Sequence, residues 1–202
     1  MIQVMKISGT RWKMAVLLFL VYCASSPAFG ANTADEIERL SEPRTAVCWF
    51  EGDMIGDIVV NARGRIAFLY MDSRLAATYS RQRDRDMKSG PSSLVPPHLM
   101  AYASKYGAKK KHVLFVASVK ALKRWEFDTE KISVAGYSPA KDDILTGITG
   151  STLMELRPGV SVLGKDYEGY VGFYVPADRV KSGTGIKIGY DADWTDWKVP
   201  AK

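Results

Sequence analysis

Three carboxylates near the C-terminus could bind a metal ion. Asp191, Asp193 and Asp196 lie at close spacing within one short segment. Carboxylate oxygens at such spacing suit Ca²⁺, but the segment lacks the glycine and the terminal glutamate of an EF-hand loop. We therefore predict a calcium site completed by other residues, with a solvated acidic loop between strands as the alternative. No other cofactor is expected.

The C-terminal part of the chain is also rich in aromatic residues. Tyr170 and Tyr174 are separated by an even number of residues in a β-rich run, so a strand would place both on one face. Exposed on a sheet, they could stack on sugar rings or pack against a protein partner. We predict Tyr170, Tyr174 and Trp194 as ligand-binding residues. The alternative is that a second layer, such as a helical insertion, covers the tyrosines.

Motifs for common catalytic chemistry are missing from the sequence. It has no Gly-x-Ser-x-Gly elbow, and its two histidines, His98 and His112, lack the spacing of metal ligands. We therefore predict no catalytic residue. An enzymatic alternative is a glycan-acting hydrolase that uses Asp191, Asp193 and Glu168 as acid and base, which requires two of them to face one cleft.

The N-terminus has the three zones of a secretory signal peptide. Basic residues come first, an apolar run over residues 14–22 follows, and the small residues Ala28 and Gly30 precede Ala31. This order predicts cleavage after Gly30 and a periplasmic or secreted protein. One alternative is an uncleaved anchor, although the apolar run is shorter than the roughly 20 residues of a spanning helix. A second is a lipoprotein anchored at Cys23, which the bulky Tyr22 disfavours.

Residues 31–202 then form a single predicted domain with no membrane span. The signal segment holds three of the 28 basic residues and none of the 22 acidic ones, which leaves the domain a net charge of +3. Such a mild charge argues against a nucleic-acid partner. Cys48 is the only cysteine left, so an intramolecular disulfide is excluded. A lone cysteine in an apolar run is typical of a buried side chain, with a nucleophile or an intermolecular bridge as alternatives.

The residue patterns predict mainly β-structure. A short N-terminal helix begins at a capping box, Thr33 to Glu36, and ends before Pro43. Strands follow over Thr45–Phe50, Ile55–Asn61 and Arg65–Met71, the last two forming a hairpin. A helical insertion over about residues 73–107 interrupts the sheet.

Later segments supply the rest of the sheet. Val113–Val119 is apolar on both faces, which is typical of a central strand. Val171, Phe173 and Val175 alternate with other residues and so share one face, and the pattern recurs at Ile186–Tyr190. Many short strands with turns between them favour an antiparallel β-sandwich.

The closing strands carry a resemblance to a known fold. Leu156–Gly159, Gly172–Pro176 and Ile186–Tyr190 are similar to the last strands of immunoglobulin-like domains found in exported bacterial proteins. The resemblance implies an immunoglobulin-like β-sandwich and no particular site.

These observations favour a non-catalytic function. We predict a binding or assembly module that contacts a protein partner in the cell envelope through its aromatic sheet face or an exposed strand edge. The alternative is a carbohydrate-binding module or glycan-acting hydrolase of the envelope, with cell-wall glycan as its ligand.

Overall fold

The chain folds mainly into antiparallel β-sheets, as the sequence predicts. The computed structural model describes residues 31–89, 96–146, 153–157 and 159–201. The signal segment predicted over residues 1–30, with Cys23, lies outside them. The helices are α1 (Ala31–Ser41), α2 (Ser73–Ser89) and α3 (Pro97–Ala103). The strands are β1 (Thr45–Phe50), β2 (Asp53–Ile55), β3 (Ile58–Val60), β4 (Gly64–Met71), β5 (His112–Ala121), β6 (Trp125–Asp128), β7 (Ile132–Val134), β8 (Ile144–Thr146), β9 (Leu153–Arg157), β10 (Val160–Leu163), β11 (Glu168–Pro176), β12 (Gly185–Tyr190) and β13 (Asp193–Lys198).

A five-stranded sheet organises the molecule. Its strand order is β1-β4-β5-β11-β8, and its neighbours pair antiparallel. β5 lies in the middle, which confirms the predicted central strand. Two three-stranded sheets, β6-β10-β9 and β13-β12-β7, and the separate β2-β3 hairpin complete the described β-structure.

One face of the five-stranded sheet is buried against the two smaller sheets. Val171, Phe173 and Val175 all lie in this core, which confirms the face predicted from their alternation. An aromatic cluster fills its centre: Trp125 stacks on Phe50 with ring centroids 4.9 Å apart, and Tyr190 packs edge-on to Trp125 at 5.1 Å. The Tyr190 hydroxyl also accepts a hydrogen bond from the backbone N–H of Asp128 at 2.8 Å, so its polar end is satisfied.

The opposite face of the sheet is buried against the helices. This second core contains residues of β4, β5 and β11 together with residues of all three helices; its fully buried members include Met71, Leu75, Tyr79 and Leu114. The predicted helical insertion is therefore confirmed, and it forms a third layer. None of the helices in the described ranges is long and apolar enough to span a membrane.

Two local predictions are wrong. Thr33 does not cap the first helix, because α1 already includes it and its Oγ1 hydrogen-bonds Arg85. Ile55–Asn61 does not pair with β4. Instead the chain turns within that segment, at Gly56, whose φ of 62° suits glycine, and β4 pairs with β1 and β5.

The contact between α3 and the sheet depends on a residue without a side chain. A Cβ on Gly172 of β11 would clash with Cε1 and Cδ1 of Tyr102, whose ring packs against this position from α3. We therefore predict that Gly172→Ala lowers the free energy of unfolding by about 1–3 kcal/mol, because the ring must shift out of a packed layer. Urea unfolding measures the loss.

The matched control is Gly185→Ala on β12, where a Cβ meets no atom within 4 Å. This substitution should change the free energy of unfolding by less than about 0.5 kcal/mol. Equal effects of the two substitutions would contradict the packing of Tyr102 on Gly172.

Candidate functional site

The helices cover only part of their face of the five-stranded sheet. Two rows of cross-strand neighbours extend beyond the buried Leu69 and Val116 and remain partly exposed. We call these two rows the open face; it comprises Trp49, Arg65, Lys120 and Glu168 in the outer row and Val47, Ala67, Ser118 and Tyr170 in the inner row.

Trp49 and Arg65 form the aromatic and cationic part of the open face. The guanidinium carbon of Arg65 lies 5.8 Å from the centroid of the Trp49 ring, in cation–π range. Burial lowers the pKa of Arg65 from its usual value, and the charge of Glu168 opposes this. Within the described part of the chain, no carboxylate forms an ion pair with Arg65.

Lys120 and Glu168 form the charged part. Lys120 Nζ donates to Glu168 Oε1 at 2.5 Å, and their side chains are 44% and 49% exposed. An ion pair with this exposure contributes little to stability. Lys120 and Glu168 can therefore separate and pair with charged groups of a partner at a small cost in free energy.

At the border of the open face, His98 of α3 stacks on Tyr170. The ring centroids are 3.5 Å apart. Burial lowers the pKa of His98 to about 4, so the imidazole is neutral at pH 7. Burial and the charge of Glu168 raise the pKa of Tyr170, while a hydrogen bond with Ser118 opposes the rise. This ring pair is a contact between α3 and β11 at the edge of the helical layer.

The predicted aromatic row is covered by this layer. Tyr174 is buried, and its hydroxyl donates to the carbonyl oxygen of Lys105 at 2.7 Å. Tyr170 is half-buried beneath His98. The alternative arrangement, in which the helical insertion covers the tyrosines, is therefore observed for Tyr174 and only in part for Tyr170. Trp194 is 58% exposed, but it lies on β13 in a different sheet, with Lys187 Nζ 4.5 Å from its ring centroid.

The three aspartates predicted to bind calcium have separate surroundings. Asp191 accepts a hydrogen bond from Lys131 Nζ at 2.6 Å, Asp193 accepts one from the backbone N–H of Glu51 at 2.8 Å, and Asp196 is exposed. Among the residues with described positions, no three His, Cys, Asp or Glu side chains converge to hold a metal ion.

Glu168, the third carboxylate of the hydrolase alternative, is not beside Asp191 or Asp193. It lies on the helix-facing side of the five-stranded sheet, whereas both aspartates lie at the β12–β13 hairpin of another sheet. The structure therefore does not bring these three carboxylates into one cleft.

Cys48 has the buried position that the sequence favours. It is 2% exposed, and its thiol donates to the carbonyl oxygen of Asp193 at 3.4 Å. Burial raises its pKa to about 11, against a smaller opposing effect of a backbone hydrogen bond at Tyr190. The thiol is therefore protonated at neutral pH and has the character of a small hydrophobic side chain.

Trp49 and Arg65 are the residues that the sequence analysis missed. The alternation of β1 already indicates that Trp49 lies opposite the core residue Cys48. Its neighbour Arg65 depends on the pairing of β1 with β4, which the sequence analysis did not predict. The pairing of β1 with β4 was therefore the information needed to find this pair of residues.

Comparison of the chain with protein-family models, with curated proteins and with solved structures gives no match. Functional conclusions accordingly rest on the geometry of its own residues.

The buried imidazole predicts a pH dependence of stability. An unfolded histidine has a pKa of about 6.5, and the folded His98 has a pKa of about 4. Its neutral form is favoured by folding, so its stabilising effect is complete above the unfolded pKa and is lost as the pH falls from about 6.5 towards 4. His98→Phe keeps a ring on Tyr170 but cannot bind a proton.

We expect the unfolding free energy of His98→Phe, relative to wild type, to rise steadily between pH 7 and pH 4. Urea unfolding at several pH values measures this difference. Parallel curves for the two proteins over that range would contradict the burial of a neutral imidazole.

Proposed function

We propose that the chain is an exported, non-catalytic binding module that takes a protein partner on the open face. The observation that carries the proposal is the Trp49–Arg65 pair, which is half-buried yet uncovered by the helices. Tryptophan and arginine are enriched among the residues that dominate protein–protein binding energies. Side chains that are already half-buried in contact with each other lose little freedom when a partner binds.

The surroundings of the pair support the same function. Val47 and Ala67 give the open face an apolar centre, and the ion pair of Lys120 and Glu168 lies at its edge. An apolar, aromatic centre with a charged edge is the usual anatomy of a specific interface. Arg65 could then form a bidentate hydrogen bond with a partner's carboxylate.

The proposal includes export from the cytoplasm and an immunoglobulin-like type of β-sandwich. The ordered zones of residues 1–30 favour a periplasmic or secreted location, with a lipid anchor at Cys23 as the alternative. The similarity of the closing strands to immunoglobulin-like domains of exported bacterial proteins supports an immunoglobulin-like β-sandwich as the fold type. A sandwich with open edges can accept a partner on a sheet face or a strand edge.

One observation favours a second candidate, binding of cell-wall glycan. Trp194 exposes more than half of its surface on β13, and an exposed indole offers a flat face to a sugar ring. Lys187 lies against this ring, which leaves less of it for a ligand. We therefore rank glycan binding second to protein binding.

Site-specific photocross-linking in the native cells tests the proposal. A benzophenone amino acid at Val47 or Ala67 reports on the open face, and one at Met87, which is 80% exposed on α2, is the control. We expect the same protein adduct from both open-face positions and none from the control. Arg65→Gln should reduce that adduct about tenfold or more, because it removes a charge-assisted hydrogen bond of about 1.5–3 kcal/mol.

Two outcomes would count against protein binding at the open face. The first is an adduct that is equally strong from the Met87 position or unaffected by Arg65→Gln. The second is glycan adducts from position 194 with no protein adduct from the open face, which would favour the glycan alternative.

A further inference from the structure

The β2–β3 hairpin exposes apolar side chains without a partner. Its register pairs Met54 with Val59 and Ile55 with Ile58, and it forms a sheet of its own. Met54 is 63% exposed and Ile55 64% exposed. An isolated two-stranded hairpin has little stability of its own, and a projecting apolar tip typically marks an interaction site.

The hairpin emerges from the end of the sheet that carries the open face. It connects β1 to β4, so Trp49 and Arg65 lie just before and just after it. Its base is held by an ion pair of Glu51 with Arg63 at 2.5 Å and by a hydrogen bond from Lys123 Nζ to the carbonyl oxygen of Asn61 at 2.7 Å. The hairpin and the open face are therefore neighbouring surfaces.

These two surfaces are complementary in charge and in apolar character. The exposed Asp53 and Asp57 flank the apolar tip of the hairpin. The open face offers the Trp49 ring with the cations Arg65 and Lys120. A carboxylate beside an apolar group thus matches a cation beside an aromatic group.

Within one chain this match is unused. Asp53 Oδ2 accepts a hydrogen bond from Asn61 Nδ2 at 3.4 Å, within the hairpin loop itself. No ion pair joins Asp57 to Arg65 in the described residues. Because each chain carries both surfaces at one end, a two-fold axis lets each of two copies donate a hairpin and accept one, which forms both contacts at once.

We propose that two copies of the chain associate by docking the β2–β3 hairpin of each on the open face of the other. Ile55, on the same hairpin face as its cross-strand partner Ile58, then covers Trp49 of the second copy, and Asp57 pairs with its Arg65. This inference rests on the proposed function, because it names a second copy as an occupant of the open face. The two flanking carboxylates disfavour the main competitor, burial of the tip in an anionic lipid surface.

Sedimentation velocity on the chain purified after export tests the association. We expect a monomer–dimer equilibrium in the wild type and a dissociation constant at least about tenfold weaker in Ile55→Asp, because a charge would be buried against Trp49. Met87→Asp is the matched control and should leave the equilibrium unchanged, since Met87 is 80% exposed on α2 and belongs to neither of the two surfaces.

Reversing the two charges, one in each variant, distinguishes loss of the dimer contact from loss of folding. Asp57→Arg and Arg65→Asp should each abolish self-association, because like charges then meet in both halves of the dimer. An equimolar mixture of the two variants should form a heterodimer, because each contact regains one cation and one anion. A variant that failed to fold could not be restored by mixing.

The outcomes separate this inference from the proposed function. A wild type that stays monomeric at every concentration, or a mixture that does not associate, overturns the dimer. If cross-linking from Val47 still finds another protein, the proposed function stands; if it finds none, both fall. Cosedimentation of the wild type with anionic vesicles, lost in Ile55→Asp, would assign the hairpin to a lipid surface and also overturn the dimer.

Discussion

The fold depends on burial of both faces of the five-stranded sheet by different partners. β5, in the centre, contributes Phe115 and Ala117 to the core with the smaller sheets and Leu114 and Val116 to the core with the helices. Apolar burial of this extent is the main source of stability in a chain whose described residues contain one free cysteine and no disulfide. The helices must therefore stay docked, and the Gly172 position lets α3 approach the sheet.

The same constraint creates the candidate site. Leu69 and Val116 are buried in the core with the helices, whereas the two rows beyond them, towards one end of β1, β4, β5 and β11, are partly exposed. At those ends the side chains change from apolar to amphipathic. Trp49 and Arg65 are both half-buried and lie within cation–π range of each other, which is the usual behaviour of side chains with an apolar body and a polar end. The hairpin continues from the same ends, so the two proposed interaction surfaces have one structural origin.

Local patterns were sufficient to predict much of the fold. The two-residue period of Val171, Phe173 and Val175 and the doubly apolar β5 depend on neighbours in sequence, and so does the helical insertion. Strand pairing depends on residues that are far apart in sequence. The predicted hairpin was wrong because the chain turns at Gly56, inside the segment predicted to be one strand. The candidate site required that pairing, because Arg65 meets Trp49 only in the β1–β4 register. The cover over Tyr174 likewise depends on where distant helices dock.

Hydroxyl-radical footprinting of the dilute, monomeric chain measures whether the helical layer leaves Trp49 exposed to solvent. Comparison of tryptophans with one another removes differences in intrinsic reactivity. We expect oxidation to be fastest at Trp194, which is 58% exposed, intermediate at Trp49 and close to absent at Trp125, which is 1% exposed. Protection of Trp49 as complete as that of Trp125 would show that another layer covers the open face, which then could not bind a partner.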